Sequence, residues 1–223
     1  MIWHDYPDRD LMALDLADTL ASSISSALRH EDRVTLAVPG GTSPGPMFDA
    51  LSSVHMDWDR VDILLTDERW VPETSPRSNT ALLRNRLLTG HAAAASLVPL
   101  YAEAETPEEK LDELIEALKP KLPIDVLVLG MGADMHTASL FPGADRLEEA
   151  LSNHAPALLP MRAPGAPEPR VTLTAPVLKG AIDTHILIMG TEKKDAIQKA
   201  ARMKPIDAPV SVLLDGAHIH YCD

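Results

Sequence analysis

The sequence predicts an α/β protein with a doubly wound, mostly parallel sheet that carries helices on both faces, a Rossmann-like three-layer sandwich. Two observations lead to this prediction. Short, continuous apolar runs, typical of strands buried on both faces, alternate with segments whose apolar residues recur at the helical period. Glycine-rich or charged residues directly follow three of these runs, and ligands of such sheets bind beyond the carboxyl ends of the strands.

The first half of the chain contains two predicted strand–loop pairs. Leucine and isoleucine residues at positions 11, 16, 20, 24 and 28 predict a helix with one apolar face. The apolar run at 34–38 predicts a buried strand that stops at Pro39, and a helix around Met47 follows it. A second buried strand is predicted at 61–65 and a helix at about 79–88, whereas 90–105 has no clear pattern.

The second half continues the alternation. Thr106, Pro107 and Glu109 form a capping pattern that predicts a helix running to about Lys119. Five prolines predict a loop or a sheet edge at 155–169. The remaining predicted elements are a helix at 191–203 and strands at 124–129, 171–174, 185–189 and 211–214. Because no linker interrupts the pattern, we expect a single α/β domain over residues 1–223.

The composition of the chain argues against several classes of protein. The chain of 223 residues has 33 acidic and 20 basic residues and a formal net charge of −13, so we expect neither a nucleic-acid partner nor a membrane-surface partner. The single cysteine, Cys222, allows no intramolecular disulfide. No apolar run approaches the roughly 20 residues that a membrane helix needs, and the first residues do not resemble a signal peptide. These features predict a soluble cytoplasmic protein.

The first candidate loop follows the strand at 34–38 and contains Gly40, Gly41, Thr42 and Ser43. Adjacent glycines allow a sharp turn that exposes successive N–H groups, and the N-terminus of the next helix favours an anion. Proline and methionine stand at 46–47, where a nucleotide-binding P-loop requires lysine and serine or threonine, which argues against an NTPase. The loop therefore predicts either an anion site or a tight turn without a ligand.

The second candidate loop contains Asp67, Glu68 and Arg69 directly after the strand at 61–65. Charged side chains at the end of a buried strand must be solvated or paired. They are interpreted either as ligand-binding groups or as a structural pair between Arg69 and one of the two carboxylates.

The third candidate loop follows the strand at 124–129 and places Asp134 two residues before His136, at what we predict to be the start of a short helix. Histidine titrates near neutral pH and is the commonest general base, and a neighbouring carboxylate can fix its tautomer. A structural histidine is the alternative. Met135 stands where a dinucleotide-binding fingerprint has its third glycine, which excludes that motif.

Together the three loops resemble those of the 6-phosphogluconolactonases, which are close relatives of the glucosamine-6-phosphate deaminases. The matching segments lie in the same order over nearly the whole chain. They are Pro-Gly-Gly-Thr-Ser-Pro at 39–44, Thr-Asp-Glu-Arg-Trp-Val-Pro at 66–72 with Ser-Asn at 78–79, Gly-x-Gly-x-Asp-x-His-Thr-Ala-Ser-Leu-Phe-Pro-Gly at 130–143, and the similar segments at 170–178 and 190–193.

This resemblance implies hydrolysis of 6-phosphoglucono-δ-lactone to 6-phosphogluconate in the oxidative pentose phosphate pathway. His136 would act as the general base that activates water, with Asp134 orienting its imidazole. Ser43 and Ser139 are rejected as nucleophiles, because neither lies in a Gly-x-Ser-x-Gly elbow and the family implies direct attack by water. The histidines and acidic residues show no metal-ligand spacing, and we expect neither a metal nor a cofactor.

The phosphate group needs an anchor away from the reacting carbon. The glycine-rich loop at 40–43 can offer N–H donors, and the resemblance assigns Lys193 to a phosphate contact. Arg170 is a second candidate cation, while Asp67 and Arg69 are expected to contact the lactone oxygens or the phosphate. The expected partner is a small sugar-phosphate lactone, and we expect a monomer or a weak homodimer.

Two rival functions share this fold: a glucosamine-6-phosphate deaminase-like isomerase and a sugar-phosphate-binding protein without catalysis. The isomerase would carry Gly-His-Ile-Ala-Phe-Asn-Glu-Pro where this chain carries Met-His-Thr-Ala-Ser-Leu-Phe-Pro. Met135 also departs from the lactonases, which have glycine there. We expect it either to strain a backbone with positive φ, the alternative we favour, or to pack into the core of a rebuilt loop.

Overall fold

A computed structural model describes residues 1–223. Its seven α-helices are α1 Arg9–Ala27, α2 Gly45–Ser52, α3 Asn79–Arg86, α4 Leu111–Leu118, α5 Leu147–Leu151, α6 Ala175–Lys179 and α7 Thr191–Ala200. Its ten strands are β1 Ile2–Asp5, β2 Val34–Val38, β3 Val61–Leu65, β4 Asp67–Arg69, β5 Ser96–Val98, β6 Val126–Gly130, β7 Leu158–Met161, β8 Arg170–Leu173, β9 Asp183–Met189 and β10 His218–Cys222. Short 3₁₀ turns connect several of these elements.

Seven strands form a wholly parallel sheet in the order β1-β10-β9-β6-β2-β3-β5. From β2 the chain moves outward through β3 and β5, returns to β6, and then moves outward in the other direction through β9 and β10. The strand order therefore reverses between β2 and β6, which is where ligands of open α/β sheets bind. The predicted fold class is confirmed.

The central strands are apolar throughout because they are buried. All residues of β2 and β3 are buried, and so are the first four residues of β6. They belong to one cluster of 58 buried hydrophobic residues that also includes the inner faces of α1 and α2. None of the helices combines the length and the apolar character that crossing a bilayer requires.

A second, three-stranded antiparallel sheet, β4-β8-β7, adjoins the carboxyl ends of the parallel strands. Its strand β4 starts two residues after β3 ends, and the N–H of Leu173 donates to the carbonyl oxygen of Thr66 at 2.9 Å, which links the two sheets. The proline-rich segment was predicted as a loop or an edge, and its residues 158–161 form the edge strand β7. The small sheet places charged residues of β4 and β8 at the carboxyl ends of the strands of the large sheet.

Several predicted elements are wrong. Residues 211–213 belong to a 3₁₀ turn, Pro209–Leu213, which ends before residue 214, and the last strand is β10, whose alternating histidines hid its apolar character. No helix follows His136, because residues 137–140 close into a turn through an isolated β-bridge. Leu11 is 49% exposed, since α1 turns Met12, Leu16, Leu20 and Ile24 inward instead. The helix predicted at 107–119 starts as a 3₁₀ turn and becomes α-helical at Leu111.

Candidate active site

A polar cleft of about 220 Å³ lies at the carboxyl ends of β2, β6 and β9, between the two sheets. All three candidate loops reach it. Its lining includes most of the residues that the sequence nominated, namely Gly40, Gly41, Ser43, Asp67, Arg69, His136, Arg170 and Lys193. Two nominated residues are absent from this lining. Thr42 lines a neighbouring apolar cavity beside Arg9 and Met47. Asp134 is not part of the lining and reaches the cleft only through His136.

The imidazole of His136 is paired with the carboxylate of Asp134 at the edge of the cleft. The imidazole Nδ1 lies 2.5 Å from Oδ1 of Asp134, which also accepts the backbone N–H of His136 at 3.2 Å. A carboxylate can only accept hydrogen bonds, so Nδ1 carries the hydrogen and Nε2 of the neutral ring has a free lone pair. The imidazole is partly exposed, with 30% of the side chain accessible. This arrangement is suitable for a general base.

The loop that carries this pair is a tight turn. The N–H of Gly132 donates to the carbonyl oxygen of His136, and the N–H of Met135 donates to the carbonyl oxygen of Gly132, at 3.0 and 2.9 Å. A Cβ atom at Gly132 would lie 2.3 Å from the imidazole and 2.5 Å from the carboxylate of Asp134. Glycine is therefore required at this position for the side chains of the pair to occupy their places.

Met135 combines the two alternatives that the sequence left open. Its φ of 67° keeps the left-handed backbone that favours glycine, and its side chain is only 9% exposed and belongs to the hydrophobic cluster. Strain and packing therefore act at the same residue, because the buried side chain compensates for the backbone conformation.

The glycine-rich loop leads from β2 into α2. Gly41 has φ of 81°, and a Cβ atom at Gly40 would overlap the side chain of Asn79 at 2.1 Å. Asn79 is buried, donates from Nδ2 to the carbonyl oxygen of Asp67 at 3.1 Å, and lines the cleft. The loop thus lies against the second candidate loop, and both border the same space.

Three cationic side chains line the cleft, and none has a carboxylate oxygen within hydrogen-bond distance there. Arg69 donates to the carbonyl oxygen of Arg77 at 2.9 Å and lies 3.8 Å from Glu168. Arg170 lies 3.7 Å from Asp67, and burial lowers the pKa of its guanidinium. Lys193, in the first turn of α7, forms no ion pair within 4.0 Å. The expected alternative for Arg69, a pair with Asp67 or Glu68, is wrong.

Glu68 turns away from the cleft and holds the start of α3. Its fully buried carboxylate accepts the backbone N–H groups of Asn79 and Thr80 and the hydroxyl of Thr80 at 2.7–2.9 Å, while burial raises its pKa. Ser139 is also buried, and its hydroxyl donates to Asp67 at 2.5 Å. Neither residue presents a reactive group to the cleft.

Sequence reasoning missed two residues of this region. Asn79 stood in a matching segment but was given no role, since only the fold brings it against Gly40. Phe141 lies with its ring centroid 4.2 Å from that of His136, five residues away in the chain. No group of three or more histidine, cysteine, aspartate or glutamate side chains is arranged to hold a metal ion.

Comparison with known proteins yields consistent matches over the whole chain. The family described as glucosamine-6-phosphate isomerases/6-phosphogluconolactonase matches residues 7–220. A 6-phosphogluconolactonase of Mesorhizobium japonicum is 42% identical over 217 residues, covering 96% of this chain and 91% of that protein. One from Neisseria meningitidis is 37% identical and covers 100% of this chain and 99% of that protein.

Solved structures show the same relationship. The crystal structure of a 6-phosphogluconolactonase from Shewanella baltica superposes with a TM-score of 0.94 at 29% identity, covering 100% of this chain and 97% of that one. A monomeric glucosamine-6-phosphate deaminase matches with a TM-score of 0.80 at 14% identity, covering 100% of this chain and 97% of that one, and shares the fold.

Proposed function

Because the chain belongs to the glucosamine-6-phosphate isomerase/6-phosphogluconolactonase family, we propose that it hydrolyses 6-phospho-D-glucono-1,5-lactone to 6-phospho-D-gluconate. It is a carboxylic ester hydrolase of the oxidative pentose phosphate pathway, and its substrate is a small sugar phosphate. The two relatives described above, at 42% and 37% identity, are 6-phosphogluconolactonases, whereas the deaminase at 14% identity shares only the fold.

The observation that carries the mechanism is the orientation of His136. Asp134 accepts the hydrogen on Nδ1, which leaves Nε2 with a lone pair beside the cleft. A water molecule between Nε2 and the lactone carbonyl carbon gives its proton to His136 as its oxygen attacks that carbon. Asp134 then stabilises the imidazolium that forms.

The tetrahedral intermediate carries negative charge on the former carbonyl oxygen. Arg69 and Arg170 are the cationic groups of the cleft that can stabilise this charge or bind the hydroxyl oxygens of the sugar. When the intermediate collapses, the bond between the carbonyl carbon and the ring oxygen breaks. The ring oxygen then takes the proton from His136, so one water molecule is consumed and the open-chain acid is released.

The phosphate occupies the other end of the cleft. Lys193 and the N–H groups of Gly40 and Gly41 supply a positive charge and hydrogen-bond donors beside the start of two helices, α2 and α7. Holding the phosphate fixes a flexible sugar with its carbonyl near His136, which lowers the entropic cost of reaching the transition state. We propose in addition that the protein acts in the cytoplasm as a monomer or weak homodimer.

The test is hydrolysis of freshly prepared 6-phosphogluconolactone, followed as acid release with the spontaneous rate subtracted. We expect the parent protein to exceed the background strongly and His136→Gln to lose about 10²-fold or more in kcat. His154→Gln, which changes an exposed histidine outside the cleft, should remain fully active. Absence of activity in the parent would refute the function, and an active His136→Gln would refute the assigned base.

A further inference from the structure

Residues 137–140, which directly follow His136, form a tight turn. The N–H of Leu140 donates to the carbonyl oxygen of Thr137 at 3.0 Å, and an isolated β-bridge joins these two residues. Ala138 takes a positive φ of 48° inside this turn. The turn brings Phe141 back beside the imidazole.

The neighbours of Phe141 are firmly anchored. Thr137, Ser139 and Leu140 are each fully buried. The hydroxyl of Thr137 donates to the carbonyl oxygen of Gly130 at 2.9 Å, and the N–H of Ser139 donates to the hydroxyl oxygen of Thr172 at 3.1 Å. The chain on the N-terminal side of Phe141 is therefore anchored to β6 and β8, which limits the positions that its half-buried ring can take.

Phe141 contacts two groups of the cleft at once. Its ring centroid lies 4.2 Å from that of His136 with an interplanar angle of 33°, and the guanidinium carbon of Arg170 lies 5.3 Å from the same centroid. Asp134 holds one edge of the imidazole through Nδ1, but a single hydrogen bond leaves the ring free to pivot. The aromatic ring of Phe141 removes that freedom.

The same contact depends on the charge of the imidazole. An aromatic face attracts a cation within about 6 Å, and His136 becomes cationic when it has taken a proton from water. The attraction is thus stronger after proton transfer than before it. Only interactions of that kind raise kcat rather than substrate affinity alone.

We propose that Phe141 is a positioning residue of the lactonase reaction, holding the imidazole of His136 with Nε2 toward the cleft and keeping the guanidinium of Arg170 beside it. The inference rests on the proposed function. A side chain that only filled space would be replaceable by any apolar group of similar size, whereas this role requires an aromatic ring.

The experiment compares Phe141→Leu and Phe141→Met with Phe141→Tyr. We expect the two aliphatic variants to lose about 5- to 20-fold in kcat with KM changed less than about threefold, and tyrosine to restore most of the rate. Two aliphatic variants are used so that the test does not depend on the folding of one. Wild-type kcat in a folded aliphatic variant, or an equal loss in the tyrosine variant, would overturn the proposal.

A second readout does not depend on activity. In NMR spectra the ring current of Phe141 should shift the carbon-bound imidazole protons of His136, assigned by their loss in His136→Gln, and Phe141→Leu should abolish that shift. An absent shift in the parent protein overturns the positioning role. A shift in a parent protein that fails to hydrolyse the lactone refutes the proposed function while the contact itself stands.

Discussion

Arg69 and Arg170 are direct cross-strand neighbours in the antiparallel pair of β4 and β8. Like charges in such positions repel, and the Nε atoms of both guanidinium groups are buried without a hydrogen-bond partner. The nearest carboxylates, Glu168 and Asp67, stay at 3.8 and 3.7 Å. Neither guanidinium group has a carboxylate within hydrogen-bond distance, so we expect the two side chains together to attract an anion.

This arrangement predicts that the anionic product stabilises the protein through Arg170. At about 100 times its Kd, 6-phosphogluconate should stabilise the fold by about 2.7 kcal/mol, which is roughly 5–10 °C in Tm for a chain of this size. Arg170→Met should reduce that shift to less than half at the same concentration, because it removes a charged partner of the ligand. The measurement is a thermal melt with and without the product.

The control for this experiment is Arg162→Met. Arg162 forms a surface pair with Glu108, away from the cleft, so its product-induced shift should equal that of the parent. An undiminished shift in Arg170→Met would mean that Arg170 does not bind the ligand.

We predict that removing the charge of Lys193 impairs hydrolysis of the phosphorylated lactone selectively. A charge-assisted contact contributes about 1.5–3 kcal/mol, so Lys193→Ala should lose about 10- to 150-fold in kcat/KM for 6-phosphogluconolactone. Hydrolysis of plain gluconolactone should change little, because it has no phosphate. Lys199→Ala, an exposed lysine near the end of the same helix, serves as the control. Equal losses for both lactones in Lys193→Ala would indicate a structural role.

Much of the fold was predictable from local patterns. The strands β2, β3 and β9 and the start of α7 lie close to where the apolar runs and the helical pattern placed them. The terminal strands β1 and β10 were missed, because histidines interrupt their apolar character. They are strands because β10 pairs with β9 and β1 pairs with β10.

The sequence allowed most of the residues of the cleft to be predicted, but not which side chains contact one another. Loops at the carboxyl ends of parallel strands must converge, which is why most of the nominated residues share one cleft. The partners of Arg69 and Arg170 depend on an antiparallel sheet whose strand β4, being charged, carries no apolar signal. Contacts such as Gly40 with Asn79, or His136 with Phe141, require the folded backbone.

We predict that replacing Gly132 with alanine lowers activity without a large loss of stability. A Cβ atom in Gly132→Ala would overlap the side chains of His136 and Asp134, which are partly exposed and can move aside. We expect kcat to fall at least about 10²-fold, the usual contribution of a general base, with Tm nearly unchanged. Gly130→Ala adds a methyl group that meets no atom within 4 Å and should cost much less. Similar rates for the two variants would contradict the required fit at Gly132.

We predict that His220 makes the stability of the folded protein depend on pH. Burial lowers its pKa to about 3, helped by the neighbouring His185, His4 and His218, with Asp183 opposing. The folded protein therefore keeps this imidazole neutral, between the hydroxyl of Tyr6 and His185 at 3.0 Å each, while the unfolded chain binds a proton below about pH 6.5. Stability from this group is lost as the pH falls from 6.5 toward 3, by up to about 1.4 kcal/mol per pH unit.

Urea unfolding between pH 7 and 4.5 measures this slope. His220→Gln cannot take up the proton, so its stability should fall less steeply than that of the parent, while His154→Gln should retain the parental slope. The imidazole of His185, whose Nε2 lies 3.1 Å from the carboxylate of Asp183, lowers the pKa of Asp183 to about 2, and the stability linked to that carboxylate is lost only below about pH 3.8, outside this range. Parallel slopes for the parent and His220→Gln would contradict the prediction.

Backbone strain and side-chain packing at Met135 have opposite effects on the stability of the protein, and a pair of variants can separate them. Methionine in the left-handed region costs about 1–2 kcal/mol, which glycine would relieve. Its buried side chain contributes about 2–5 kcal/mol, which any small residue would lose. Packing is the larger of the two, so strain relief alone does not decide the outcome.

We therefore expect Met135→Gly to destabilise the protein by about 1–3 kcal/mol, measured as a lower midpoint in urea. Met135→Ala loses the same packing but keeps the strained backbone, so it should be less stable than the glycine variant by about 1 kcal/mol. Activity in Met135→Gly should stay within a few-fold of the parent, because the hydrogen bond from Gly132 to the carbonyl of His136 remains. An alanine variant as stable as the glycine variant would show that the backbone at Met135 is unstrained, and a glycine variant more stable than the parent would show that strain outweighs packing.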